Sequence, residues 1–261
     1  MKRLTNTVLI TLCTLLLPQQ AIGATKSPCQ LRMGWDTWHP FSFKLDNRVT
    51  GLDINTVETL LEDIGCSVTY HQMPWKRQLN ALKKGAVDVI PGAYFNSERA
   101  LWANFSEPYR FERSTIFIMK NGPYSGVIKS LDDIVPLNFR VAMTRGGYLG
   151  ERHKAQLKNT HYLGQIFYSP NDSHMREMLL RGRVDGYVKE SVSERAALRK
   201  QGLAEKIVSI PQDVYRSGVH LMFNRTVDEL VIKRFNQALA AFSNSAEHHS
   251  LKAHYIEGKI D

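Results

Sequence analysis

The stretch NSERALWANFSEPY, residues 96–109, contains a cation in an awkward place. Asn96 or Ser97 suits the N-cap of a short helix, which sets Arg99 in the first turn, where the helix dipole disfavours positive charge. Something anionic should offset it. Two sources fit: an acid of the same segment, Glu98 or Glu107, or the carboxylate of a bound molecule gripped by the guanidinium fork. Two tryptophans pose a related question. Trp38 in GWDTWHPF and Trp75 in HQMPWKRQL fall just past the expected ends of strands, in the loops where open α/β sheets place their ligands. Trp35, which alternates with Met33 and Leu31, reads instead as a buried strand residue, and Trp102 and Phe105 as core. Arg77 and Arg145 are further cations that either reach a cleft, favouring a second acidic group on a ligand, or remain solvated surface charge.

Signals for covalent or metal chemistry are poor. The chain has no G-x-S-x-G elbow, no H-E-x-x-H pair and no phosphate-binding loop. His39 and His71 lack paired ligands, and His248, His249 and His254 cluster at the tail. No catalytic residue, metal or cofactor is therefore expected.

The elements that must position these residues alternate between strand and helix. LRMGW precedes a helix from about Asp53 to Ile64, with Ile54, Val57, Leu60, Leu61 and Ile64 at helical spacing, Asp53 as N-cap and Gly65 just past the end. SVTYHQ, a helix from Trp75 to Lys84 begun by Pro74, and VDVI follow, the pattern of a parallel sheet covered by helices. LKKGAVD (82–88) and LLRGRVD (179–185) echo one another: a helix end, a glycine free to turn left-handed, a valine opening a strand and an aspartate. The echo suggests two similar lobes. STIFIMK (114–120) and GVHLMF (218–223) then read as the crossing strands, giving lobe one as 25–115 plus 219–261 and lobe two as 116–218. The final helix, TVDELVIKRFNQALAAF, with Leu230, Phe235, Leu239 and Phe242 on one face, should return to lobe one.

Residues 1–24 have the form of an export signal, with Lys2 and Arg3 before the apolar run Val8–Leu17 and small residues at 21–24. No later stretch approaches the roughly 20 apolar residues of a spanning helix. A soluble, exported product is expected. Lys and Arg total 34 against 25 Asp and Glu, a formal charge of +9, but the excess is scattered rather than interleaved with aromatics, which argues against a nucleic-acid partner. With 43% hydrophobic residues the chain can build a sizeable core. Cys29 and Cys66 each stand just before an expected strand; if those strands are parallel neighbours, a disulfide is feasible in an oxidising compartment, the alternative being two buried thiols.

GLDI, PWKRQLNALKKGAVDVIPG and SERALWANFSEPY, in that order behind an export signal, resemble the bacterial periplasmic solute-binding proteins of the amino-acid-type (family 3) ABC importers. The resemblance covers essentially the whole mature chain. It implies a periplasmic-binding-protein-like α/β fold of two lobes joined by a two-crossover hinge (type II). It also implies a monomer that captures a small amino-acid-like solute for a permease in the inner membrane. By the same resemblance, Arg99 grips the solute's α-carboxylate and Glu190, in VDGYVKE, its α-amino group. Asp36 and Trp38 contact the side chain, Trp75 stacks on the solute, and the loop TRGGYLGE, with Gly147 and Tyr148, completes the carboxylate site. The pattern departs at Gly92, Ala93 and Tyr94, where hydroxyl donors are usual, and at Gly147, where a threonine is usual; backbone N–H groups, Tyr94 or Tyr148 would have to replace them. Two other roles share this fold. A cyclohexadienyl dehydratase needs a further cleft carboxylate where this chain has Ser193, and a ligand sensor would dock on a receptor kinase.

Overall fold

The computed structural model describes residues 29–169 and 171–257, so the export signal expected at 1–24 lies outside the described residues. Strand β1 (Cys29–Trp35) buries Leu31, Met33 and Trp35 while Gln30 and Arg32 face water. A short hairpin, β2 (Phe43–Leu45) and β3 (Arg48–Thr50), leads into α1 (Leu52–Asp63), whose Ile54, Val57, Leu60 and Leu61 are buried against β1. The helix starts earlier than expected. Gly51, at φ 127°, is its N-cap, and Asp53 is drawn inside the first turn to meet a buried arginine. Gly65 closes the helix as expected, at φ 78°.

β4 (Cys66–Gln72) pairs in parallel with β1, with Cys29 opposite Cys66, and a disulfide joins the two. The free-thiol alternative is thereby removed. After α2 (Trp75–Lys83) the chain forms β5 (Val89–Tyr94), the short helix α3 (Ser97–Ala100), β6 (Ala103–Phe105) and β7 (Arg110–Met119). β8 (Val141–Thr144), α4 (Gly150–Gln156), α5 (Thr160–Gly164), β9 (Ile166–Ser169), α6 (Asp172–Leu180), β10 (Gly186–Glu190), α7 (Ser191–Lys200) and β11 (Ile207–Ser209) build the second lobe. β12 (Tyr215–Asn224), α8 (Glu229–Phe242) and α9 (Ala246–Lys252) follow.

Among the described residues one sheet runs β4-β1-β5-β12-β7-β10-β8-β9, with β6 on β12 and β11 on β7. β12 and β7 are antiparallel neighbours in its middle: β12 also pairs with β5 of the first lobe and β7 with β10 of the second. Both are long, and both begin several residues before the apolar runs that mark them in the sequence. Their leading residues are polar: Arg110 and Glu112 of β7 join a buried ion network with Asp53, and Tyr215 of β12 packs against Tyr94 and Tyr148. The first lobe's core gathers β1, α1 and α8; Phe235, Leu239 and Phe242 are buried there, whereas Leu230, in the first turn of α8, is exposed. The second lobe packs in two layers, one around Phe139 and Tyr162 and one around Phe117, whose ring stacks on Tyr187. Trp102 and Phe105 are half-buried at the edge of a smaller cluster around Leu82 and Ile90.

The echoed segments occupy matching places. Gly85 and Gly182 take φ 71° and 66°, ending α2 and α6. Val87 and Val184 are buried just before β5 and β10 rather than within them. Asp88 then receives the main-chain and side-chain N–H groups of Arg32, and Asp185 those of Arg140, each arginine also donating to a carbonyl of the preceding turn.

Candidate functional site

A cavity of about 250 Å³ lies between the lobes, at the carboxyl ends of β1, β5, β8, β9 and β10. Ligands of open α/β sheets bind at such edges. The volume falls below the ~300–1,000 Å³ typical of sites for drug-sized molecules, so it suits a smaller solute. Asp36, Trp38, Trp75, Gly92, Tyr94, Arg99, Gly147, Tyr148 and Glu190 all line it.

Arg99 reaches the cavity from α3, where Asn96 is the N-cap and accepts the Arg99 N–H at 2.7 Å. Its guanidinium is buried, donating to Tyr94 O (3.1 Å) and to Gly146 O of the other lobe (2.9 Å), 5.5 Å from the Trp75 ring centre. Burial lowers its pKa to about 10, which still leaves it charged at neutral pH. Neither acid considered from the sequence pairs with it: Glu98 is exposed and bonds Lys154 at 3.2 Å, and among the described residues no carboxylate lies within ion-pair distance of Arg99. Two carbonyl dipoles do not neutralise a buried cation.

The tryptophans bridge the lobes. Trp75 donates its indole N–H to Gly146 O and Trp38 its own to Ser193 Oγ, both at 3.2 Å. Arg110 and Lys189 lie 5.3 and 5.5 Å from the Trp38 ring, so protein cations already occupy that aromatic. Gly92 sits beneath it at φ 77°, where an added Cβ would come within 3.2 Å of the indole. The Gly92 N–H donates to Tyr109 Oη and that of Gly147 to Thr144 O, so neither is a spare donor. The Tyr94 and Ser114 hydroxyls stand 3.3 Å apart, and Tyr148 donates to Glu151.

Arg77 and Arg145 are not brought to the cavity. Arg77 is exposed on α2, where helical phase turns Gln78 inward in its place. Arg145 begins a tight turn through Gly146, at φ 78°, and its side chain lies over Tyr168, exposed. The second acidic group on a ligand that these two arginines would have favoured loses its basis.

Acids dominate the remaining lining. Glu190 is the N-cap of α7, its two oxygens accepting Val192 N–H and Ser193 N–H at 2.9 and 2.7 Å. Burial raises the Asp36 pKa and Asp172 raises it further, against the pull of the Thr37 N–H. Asp172 also pairs with Lys189 at 2.8 Å. Behind Trp38, Asp53 takes two N–H groups of Arg110, and Glu112 a third. Burial pushes Glu112 up to about 7, Arg110 opposing and Glu190 adding to the rise. His153 also borders the cavity, its pKa brought down to about 4 by burial. Glu112 and His153 were not singled out from the sequence, although Glu112 left a trace: in RFERS the polar residues 110, 112 and 114 alternate inward while Phe111 is 78% exposed.

Among the described residues there is no cluster of His, Cys, Asp or Glu able to hold a metal, and no helix long and apolar enough to cross a membrane. Residues 31–258 match the model of the bacterial extracellular solute-binding proteins, family 3. A probable histidine-binding protein of Campylobacter jejuni is 22% identical over 205 residues, covering 77% of this chain and 75% of the relative. A histidine kinase sensor domain with similarity to periplasmic binding proteins superposes with a TM-score of 0.76 at 20% identity, covering 88% of this chain and 98% of its own. An ancestral amino acid-binding protein, described as a precursor of cyclohexadienyl dehydratase, gives 0.69 at 24% identity, covering 87% and 95%. At such identities the solved structures attest the periplasmic-binding-protein fold, and the match along almost the whole described chain carries the assignment: the protein belongs to the bacterial extracellular solute-binding proteins of family 3.

Proposed function

We propose that the protein captures a small amino-acid-like solute between its lobes and delivers it to an ABC importer of the inner membrane. The observation that carries this reading is Arg99: buried, charged, bordering a small cavity and matched by no carboxylate among the described residues. A ligand carboxylate would supply the missing charge through the guanidinium fork. Trp75 and Tyr94 flank it, Asp36 and Trp38 meet the far part of the solute, and Glu190 adds negative charge near the amine. Lobe one as 25–115 plus 219–261 and lobe two as 116–218 close on the ligand about β7 and β12. An export signal at 1–24 and a monomer in the periplasm complete the reading.

The name of the Campylobacter jejuni relative makes L-histidine the first solute to try, with L-arginine and L-lysine beside it. Calorimetry with wild type and Arg99→Ala tests the assignment. Removing one partner of a buried charge pair costs about 2–5 kcal/mol, so affinity should fall at least thirtyfold; an unchanged affinity would sink the carboxylate role.

A dehydratase role is disfavoured by Ser193, whose hydroxyl receives the Trp38 indole N–H where that chemistry needs an acid. Turnover of prephenate or arogenate would reverse this. A sensory role has a specific observation behind it, the superposition on a kinase sensor domain. Recovery of a receptor-kinase ectodomain rather than a permease from cross-linked cells would favour it.

A further inference from the structure

We propose that Glu112 is the acceptor for a cationic nitrogen of the solute, an ammonium or a protonated ring nitrogen, at the lobe-one wall of the cavity. The inference rests on reading the cavity as a solute site. It adds a residue that the family resemblance does not supply.

Glu112 is only 5% exposed and borders the cavity from β7, on the same face as Arg110 and Ser114. One carboxylate oxygen accepts from Arg110 Nη1; the other, Oε1, is buried and has no hydrogen-bond partner. A buried carboxylate oxygen without a donor is costly and calls for an explanation. Nearby donors are spent elsewhere. Arg110 gives Nε and Nη2 to Asp53 and the Gly92 N–H goes to Tyr109, while the Tyr94 hydroxyl, shared with Ser114 at 3.3 Å, lies close enough to Glu112 to pull its pKa down but makes no well-formed hydrogen bond to Oε1.

Charge points the same way. Glu190, across β7 on β10, raises the Glu112 pKa, and its own oxygens cap α7. Two acids thus share a wall whose nearest cation, Arg110, is already held bidentately by Asp53. A ligand cation would neutralise this excess and give Oε1 its donor. Tyr94 stands between this wall and Arg99: its carbonyl accepts from Arg99 and its hydroxyl lies beside Ser114. A carboxylate on one side of Tyr94 and a cation on the other would fill both vacancies of charge with one small molecule.

Proton balance follows. The charged and titratable groups around Glu112 are Arg110 on its own strand, Asp53 from α1 through the Arg110 they share, Tyr94 from β5 and Glu190 at the end of β10. With its carboxyl raised to about 7, Glu112 is partly protonated near neutrality, and an arriving cation would drive that proton into the solvent.

Calorimetry at pH 7 on the full mature chain tests this with three kinds of probe. L-histidine and L-lysine carry both charges, histamine and cadaverine lack the carboxylate, and hexanoate and succinate lack the nitrogen. The expected result is that the tightest probe bears a cationic nitrogen and that Glu112→Gln weakens it tenfold or more. Wild-type titrations in phosphate and Tris should also differ by a fraction of a proton released per ligand. That second measurement needs no variant and decides the matter if Glu112→Gln fails to fold. Binding by Glu112→Gln within twofold of wild type, no proton release, or tighter binding of hexanoate or succinate would overturn the proposal. Carboxylate binding that Arg99→Ala abolishes would leave the solute reading standing while Glu112 falls; amine binding that only Glu112→Gln abolishes would do the reverse. If no probe binds, both fall.

Discussion

The two lobes are built from the same unit and end it with opposite charge. In each, a helix closes on a left-handed glycine, an aspartate clamps an arginine of the neighbouring strand, and a strand runs to the cavity and turns into a capped helix. In lobe one that helix is capped by Asn96 and delivers Arg99; in lobe two the cap is Glu190, the acid itself. Local backbone chemistry is therefore repeated, while the side chain at the helix start is left free to set what each wall attracts. A cation on one side and an anion on the other is what a zwitterion requires.

Buried ion pairs sharpen the comparison most. Arg176 of lobe two lies between α6 and α7, with both oxygens of Glu194 on its Nη1 and Tyr187 donating to the same acid. Arg110 of lobe one serves two acids, Asp53 and Glu112. Stranding buried charge costs about 3–5 kcal/mol, so Arg110→Met should fall near the upper end and Arg176→Met near the lower in urea denaturation; the reverse order would break the comparison. The disulfide comes next. Lobe one joins β1 to β4 at Cys29 and Cys66, whereas the corresponding parallel strands of lobe two begin with Val141 opposite Ile166. Replacing both cysteines by serine should remove about 4 kcal/mol by the chain-entropy estimate for its 37-residue separation. Amide exchange should quicken in β1 and β4 and stay unchanged in β8 and β9.

Titration gives a smaller contrast of opposite sign. Glu112 is held up to about 7 from 4.5, so the unfolded chain loses that proton first and stability should fall as pH rises from about 4.5 to 7. His153 is held down to about 4 from 6.5, so the unfolded chain binds that proton first and stability should rise over about 4 to 6.5. Denaturation of Glu112→Gln and His153→Phe across that range should remove one slope each, on the order of 3 kcal/mol apiece. The smallest effect concerns the clamps. Asp88→Asn and Asp185→Asn should each cost about 1 kcal/mol, because both arginines are largely solvated. A difference well above that would mean the repeated units are not energetically alike.

Much of this arrangement was legible in the sequence because it is local. The helical spacing of Ile54, Val57, Leu60 and Leu61, the glycines ending α2 and α6 and the oddly placed Arg99 each announce themselves within a few residues. What was hidden depends on pairing across the sheet. Asp53 reads as an ordinary cap until Arg110, 57 residues later, arrives beside it. Arg77 reads equally well as a cleft cation or as surface charge, and only the helical phase of α2 turns it outward. Glu112 was detectable only as a polar residue on the inward side of a strand whose phenylalanine faces water, a pattern that makes sense once a cavity rather than a core lies behind it.

The place of β12 in the sheet also bears on how the chain comes into being. It is inserted between β5 and β7, yet it is made after every strand of the second lobe. As the chain emerges amino terminus first, β10 and β11 can pair with β7, and β8 and β9 can add beyond β10, before β12 is present. The first lobe, although begun first, must wait with a gap in its sheet until residue 224 has been added and α8 can cover β1 and α1. The half of the molecule that starts earliest is thus the last to be finished, and the long-range closure of that gap is the step expected to set its folding rate.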